Sequence, residues 1–323
     1  MQSYDAIIHL AKEEARHFRP LRDDEVHAKL PYFKLSKQGG AQYKAEVFNH
    51  VGHENENRLP WFVSYMMNEV VQHVDTNINI SGCYQMELHD TYAYLNNEHD
   101  YTNTLVWSKR KSDNHVVLLP DMYHLSGFSN RFDKMRDTVS FAEKLSKVAF
   151  FGTTTGSLDP TKNTRIQMCR WAQKHRDFTD VYITRIAQIP IAKIVEAVPE
   201  FNDICCPPVP ESHMYKYRYC LDIPGNTCSW DRVPAVMNSN SLLFKMPCDD
   251  MCWYYPLLHA GTHYVSCNTH DMLSKFTYYQ NNRKDVKFIT DNAQHFVKQF
   301  MHKKHALMYT VALFEEAAQR NGK

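Results

Sequence analysis

Glycine is scarce in this chain, ten residues in 323, and the familiar glycine signatures are missing with it. There is no G-x-G-x-x-G and no G-x-x-x-x-G-K-[ST], so neither a dinucleotide fingerprint nor a P-loop can be argued. No H-E-x-x-H supports a zinc peptidase, and no G-x-S-x-G supports a serine hydrolase. Asp-x-Asp is missing too, which leaves a metal bridging a diphosphate without its usual acidic ligands. The net charge is only +1, so no global field recruits nucleic acid or an anionic membrane. A local basic patch at Lys109-Arg110-Lys111 is the exception to watch. No apolar run approaches the roughly 20 residues that a membrane-spanning helix needs.

The remaining composition, 43% hydrophobic and 23% charged, is that of an ordinary globular protein with room for two domains or one large one. Nine cysteines are an odd, scattered set that favours a reducing compartment. The segment MQSYDAIIHLAKEEARHFRP reads as an amphipathic helix ending before Pro20 and lacks the apolar core of a signal peptide. A cytoplasmic location is the resulting expectation. Eighteen histidines invite a metal, but His302/His305 and Cys248/Cys252 have no second half for a tetrahedral site, so no metal is expected.

Periodicity organises the chain. Residues 1–75 read as mainly helical, interrupted near Gly39-Gly40, with Trp61 to Val74 at helical spacing. Asn77 to Leu88, Asn103 to Ser108 and Asn114 to Leu119 read as strands, and Lys134 to Leu145 as a helix. Strands at Val148 to Phe151, Val181 to Ile186, Met214 to Pro224 and Ser241 to Lys245 alternate with helices at Asn163 to Lys174 and Ile191 to Val198. From Thr269 onward helices dominate: His270 to Tyr279, then Asp291 to Ala318 with a break near His302. This alternation implies an α/β architecture with parallel sheets and two strand clusters.

Chemistry concentrates after the buried strands. Gly152, Gly156 and Gly225 fall where backbone turns would line the carboxyl edge of a sheet, the side on which α/β proteins bind ligands. The run MYKYRYCLDIPGNTCSWDRVPAVMNSNSLLFK (214–245) joins a strand, a Pro224-Gly225 turn and Arg232 at the start of a helix. Unpaired N–H groups, a positive dipole end and a forked donor together would attract phosphate. His89-Asp90 closes an earlier strand, where a carboxylate could serve as general base or simply cap a turn, and Asp121 offers the same pair of readings. Trp253-Tyr254-Tyr255 and His263-Tyr264 could stack a ring of a ligand or pack the interior.

In this order the pieces resemble glycosyltransferase family 90 over about residues 76–315. ELHDTY at 87–92 is similar to the family's base-bearing strand, and LVWSKRKSDNHVVLLPD at 105–121 to the block that follows. FFGTTTGS at 150–157 with Arg165 resembles the donor loop "RG(S/T)xTG…R", and YKYRYCLDIPGNTCSWDR…SNSLLFK resembles "YKYxxxxxGxxxSxR…SGSLVxK". The resemblance implies a GT-B fold: two Rossmann-like domains facing a cleft, at 1–145 and 146–302, with a last helix, about 303–323, packing back on the first. It implies an inverting, metal-independent transfer of xylose or glucose from a UDP-sugar to a glycan or glycoprotein hydroxyl, with Asp90 as base. No cofactor is implied beyond the UDP-sugar as co-substrate. Thr153, Thr154, Gly156 and Arg165 would contact the donor, and Gly225, Asn226, Thr227, Cys228, Ser229, Trp230 and Arg232 would wrap the UDP. Two positions depart from the family pattern: Phe151 stands where an arginine is usual, and Cys252 where an acid is. An inactive relative that binds nucleotide sugar or glycan is the alternative; a histidine-based metal hydrolase is the third reading.

Overall fold

The computed structural model describes residues 2–53, 55–90, 101–126 and 137–321. The chain divides into two compact units, Met1–Ser129 with Asp250–Pro256 and Phe300–Lys323, and Asn130–Asp249 with Leu257–Gln299. The architecture is mixed α/β, with a parallel sheet and C-terminal helices. No helix among the described residues is long and apolar enough to cross a membrane.

The first unit opens with helix α1 (Gln2–Glu14) and a hairpin of β1 (Tyr32–Gly39) and β2 (Gln42–Phe48). The hairpin replaces the helix expected across this stretch. Its strands alternate apolar and polar residues, pairing Phe33 with Val47 and Leu35 with Ala45, and Gly39 and Gly40 supply positive φ at the turn. Strand β3 (Gly82–Gln85) pairs antiparallel with β1, so this three-stranded sheet is antiparallel. Among the described residues of this unit, parallel pairing joins β4 (Leu105–Val106) to β6 (Val117–Leu118) and, through a bridge, Met86 to Leu105. Phe18, Phe33, Phe62, Tyr84 and Phe314 form one ring-on-ring core, bringing in helix α2 (Arg58–Tyr65) and the C-terminal helix Lys303–Asn321. The Lys109 end of β5 (Lys109–Arg110) is no basic patch: its ammonium is buried 2.6 Å from Glu14, which also accepts from the Leu118 N–H.

The second unit is built on five parallel strands: β7 (Leu145–Thr153), β8 (Thr179–Arg185), β9 (Tyr217–Asp222), β10 (Leu242–Lys245) and, beyond β11 (Asp250–Met251) of the first unit, β12 (Val265–Ser266). Their spatial order is β12-β10-β9-β7-β8, so the chain winds one way after β7 and the other way after β9. Such a reversal leaves a crevice at the carboxyl ends of the two central strands. Val148, Phe150, Val181, Ile183, Tyr219, Leu221 and Phe244 fill the core under the helix Thr164–Gln173. The amphipathic helix Arg283–Phe300 adds a stripe of Val286, Ile289, Ala293, Phe296 and Val297. The helix break falls at Met301-His302, where the sequence pattern predicts it.

Of the helix expected over Lys134 to Leu145, residues 134–136 lie outside the described residues, and 137–144 form bends and a turn that lead into β7. Side chains there hold the backbone in other shapes: Asp137 accepts from Val139 N–H, Glu143 accepts from Ser140, and buried Lys144 reaches Asp137 at 2.6 Å. Asn163, fully buried, caps the helix Thr164–Gln173 by accepting from Ile166 N–H at 3.1 Å. Its amide also donates to the carbonyls of Thr154 and Ser157, fastening the loop that follows β7.

Two stability predictions follow from these contacts. Asn163→Ala removes a cap and two loop bonds at once and should lower unfolding free energy by about 2–3 kcal/mol, read from the urea midpoint. His305 is buried beside Tyr4 in the first unit, and burial pushes its pKa down from 6.5 to about 4. The unfolded chain therefore takes up this proton before the folded one, and stability should fall as pH drops from about 6.5 toward 4. His305→Leu should flatten that part of the pH profile; an unchanged slope would remove His305 as its cause.

Candidate functional site

The loops after β7 and β9, the two strands flanking the reversal, meet at the carboxyl edge of the sheet of the second unit. Gly156 N–H donates to the Asn226 side chain at 3.0 Å, joining them directly. Arg165, buried in the first turn of its helix, completes the junction. Its Nε and Nη2 both donate to the Ile223 carbonyl at 3.2 Å. Its Nη1 donates to Thr155 Oγ1 at 2.5 Å, Thr153 Oγ1 at 3.2 Å and the Thr153 carbonyl at 3.3 Å.

Arg232 comes to the same place from the start of the helix Arg232–Met237. Its Nη2 donates to the Phe151 carbonyl at 3.2 Å, and its guanidinium carbon lies 4.5 Å from the centre of the Phe150 ring. The Arg165 guanidinium is 5.6 Å from the same ring. Arg232 Nη1 is buried without a hydrogen-bond partner among the described residues. Burial and the neighbouring cation push the Arg165 pKa down to about 9, so the guanidinium stays charged at neutral pH in a setting that disfavours the charge. An anion at this edge would relieve both groups.

One acid whose charge acts on Arg165 has partners of its own. Asp222, fully buried at the end of β9, accepts from Ser229 Oγ at 2.5 Å and lies 3.4 Å from the Lys245 ammonium. Ser229 thereby pins the loop that carries Arg232 to the strand it leaves.

Donor counting adds a neutral group. Arginine can only donate, so Thr153 and Thr155 both accept from Arg165, and their oxygens are 3.1 Å apart. One hydroxyl proton is used between them, which leaves the other to donate outward.

The expected donor-site residues thus separate by role. Arg165, Arg232, Thr153, Gly156, Asn226 and Gly225 converge on the edge, and Thr155 joins them although no role was assigned to it in advance. Thr154 is fully buried, its hydroxyl donating to the Ala187 carbonyl and accepting from the Ala187 N–H, a fastening of the loop to the chain beyond β8. Thr227, Cys228 and Trp230 are buried in the β9 loop, and Ser229 is held by Asp222. Two physical details differ from the sequence reading. The helix that Arg232 opens has only six residues, so the full positive charges at this edge are those of the two arginines. Gly225 is not needed for a left-handed turn: a Cβ there would lie 2.7 Å from Thr155 Oγ1 and 2.8 Å from Arg165 Nη2.

Phe151, at the unusual position, packs among Tyr182, His213 and Tyr217, its ring 4.9 Å from that of His213. In the first unit, Asp90 is half-exposed and ion-paired to Arg58 at 3.0 Å, and Thr91 and Tyr92 lie outside the described residues. Asp121 is the cap of the two: it accepts from Tyr123 and His124 N–H and pairs with the buried His124 ring at 2.6 Å. Trp253 and Tyr254 are buried against His124, which settles them as packing, and Cys252 is buried beside them in sequence. No disulfide is formed among the described residues. No group of three or more His, Cys, Asp or Glu among the described residues could hold a metal ion.

Gly225→Ala should force Arg165 off its bonds and cost about 1–3 kcal/mol of stability, the range for overpacked sites, measured by denaturant titration. Wild-type stability would show that the loop can yield.

No curated protein gives a significant match to the sequence. A family model, glycosyl transferase family 90, matches residues 122–321, more than half of the chain. The match includes the blocks at 150–157 and 214–245 and begins after those at 87–92 and 105–121. With the arginine-lined edge inside the matched span, the chain belongs to glycosyl transferase family 90.

Proposed function

We propose that this glycosyltransferase moves xylose or glucose from a UDP-sugar to a hydroxyl of a glycan or glycoprotein, with inversion and without a metal ion. Family membership supports the transfer and the presence of a sugar donor and an acceptor. One observation supports the donor class: a buried guanidinium, Arg165, and a partly buried one, Arg232, share the Phe150 ring at the carboxyl edge of a parallel sheet, with Arg232 Nη1 unsatisfied. Two cations so close together call for a doubly charged ligand, and a diphosphate meets that demand with oxygens suited to forked donors.

In this reading the fold is GT-B, the second unit holds the donor and the first supplies the base. The acceptor O–H bond breaks as its proton passes to the Asp90 carboxylate. The acceptor oxygen bonds to the anomeric carbon, whose bond to the phosphate oxygen breaks, and UDP leaves with the electron pair. Arg165 and Arg232 face the charge that grows on the leaving diphosphate, where fixed donors in a partly dry site stabilise the transition state most. The spare hydroxyl of the Thr153–Thr155 pair supplies a further donor to the phosphate or the sugar.

Asp90→Asn should reduce UDP release from UDP-glucose or UDP-xylose in the presence of acceptor by about 10²–10⁴-fold, while UDP affinity by calorimetry stays within about twofold. Undiminished turnover would remove Asp90 from the mechanism. Arg232→Ala should weaken UDP binding by about 10–100-fold, the loss of a charge-assisted contact. Unchanged affinity would refute the phosphate assignment. Turnover should persist in EDTA; chelator-sensitive turnover would contradict the metal-independent mechanism.

A further inference from the structure

Around Asp90 the first unit holds a built arrangement that the mechanism has not yet used. Arg58 opens α2, its N–H bonded to the Asn55 carbonyl at 2.9 Å, and its side chain is only 16% exposed. Nη1 donates to the Leu88 carbonyl at 2.7 Å and Nη2 to Asp90 Oδ1 at 3.0 Å. From another direction Ser108 Oγ donates to the Asp90 carbonyl at 2.7 Å. One planar fork therefore fixes both the course of the backbone entering Asp90 and the orientation of its carboxylate.

The rest of α2 explains why this is a demanding place for a charge. Leu59, Phe62 and Val63 bury the helix in the core, and Arg58 is the polar residue at its mouth. Asp90 is 40% exposed on its side chain and water alone could solvate it. Partly burying a guanidinium to grip a carboxylate that does not need it for solvation costs desolvation free energy. The fork geometry, which lysine lacks, returns orientation.

We propose that Arg58 is a positioning residue for the Asp90 carboxylate, holding one oxygen so that the group meets the acceptor hydroxyl in a fixed rotamer. The inference rests on the reading of Asp90 as base. It predicts a loss in turnover and not in donor binding, because the fork grips the Leu88 carbonyl and the Asp90 carboxylate.

The test measures UDP release from UDP-glucose and UDP-xylose with a panel of p-nitrophenyl glycosides as acceptors. Arg58→Ala should lower kcat by about 30–100-fold with donor KM within about twofold, the scale expected for a misplaced reacting group. Guanidinium or methylguanidinium at sub-denaturing concentration should restore part of the rate in Arg58→Ala and none in wild type. Arg58→Lys, which keeps the charge without the fork, should fold like wild type and remain at least about tenfold impaired. In an Asp90→Asn background, Arg58→Ala should add no further loss, since both changes act on one group. Wild-type turnover in either Arg58 variant would overturn the inference, as would a loss that guanidinium cannot rescue or that adds fully to Asp90→Asn. Full turnover in Asp90→Asn alone would instead remove the base and, with it, the role of Arg58. An inactive Asp90→Asn beside normal Arg58 variants overturns only the positioning role.

Discussion

Two guanidinium groups on one phenyl ring set the terms for the second unit. Arg165 and Arg232 approach Phe150 at 5.6 and 4.5 Å, and each donates to backbone carbonyls of the strands or loops beside it. A ring face offers a cation only about 0.5–2 kcal/mol, so it cannot offset the mutual repulsion and burial of two charges. The arrangement holds because the chain is committed around it. Thr153, Thr155 and Ile223 accept from Arg165, Gly225 gives up its side chain to let the guanidinium in, and Asn163 and Thr154 lock the loop behind it. The charge that is left over is the part available to a ligand.

Sheet topology puts that charge where a ligand can reach it. The order β12-β10-β9-β7-β8 makes the chain reverse between β7 and β9, and the two arginines come from the connections after those strands. Neither loop has a dinucleotide glycine signature, and neither needs one. In the proposed reading, charge from arginine would take the place of backbone N–H groups packed close to phosphate by glycine, which fits a chain with only ten glycines.

Much of the second unit was legible because a buried parallel strand followed by a capped helix leaves an unambiguous pattern. Asn163 before the helix and the apolar run 148–151 are examples. Of the candidate residues, Gly156 and Arg232 stood out because they follow such strands, whereas Thr153 and Arg165 were indicated only by the resemblance to the family's donor loop. Their division of labour could not, since whether Thr154 faces a ligand or Ala187 depends on contacts 33 residues away. Gly225 could be flagged as special, but a turn and a close approach look alike in sequence. The hairpin at 32–48 was visible in its alternation around Gly39-Gly40 and was obscured by lysine and glutamine, which suit helices as well. Arg58 carried no signal: its partner lies 32 residues on, and only the fold brings the two together.

The central claim is that the second unit is built to hold a diphosphate. Calorimetry comparing UDP with uridine tests it most directly, because the two share a base and ribose and differ only in the charge that Arg165 and Arg232 would meet. UDP should bind at least about 100-fold more tightly than uridine, a difference of about 3 kcal/mol. Equal affinity for the two, or no binding of UDP, would contradict it.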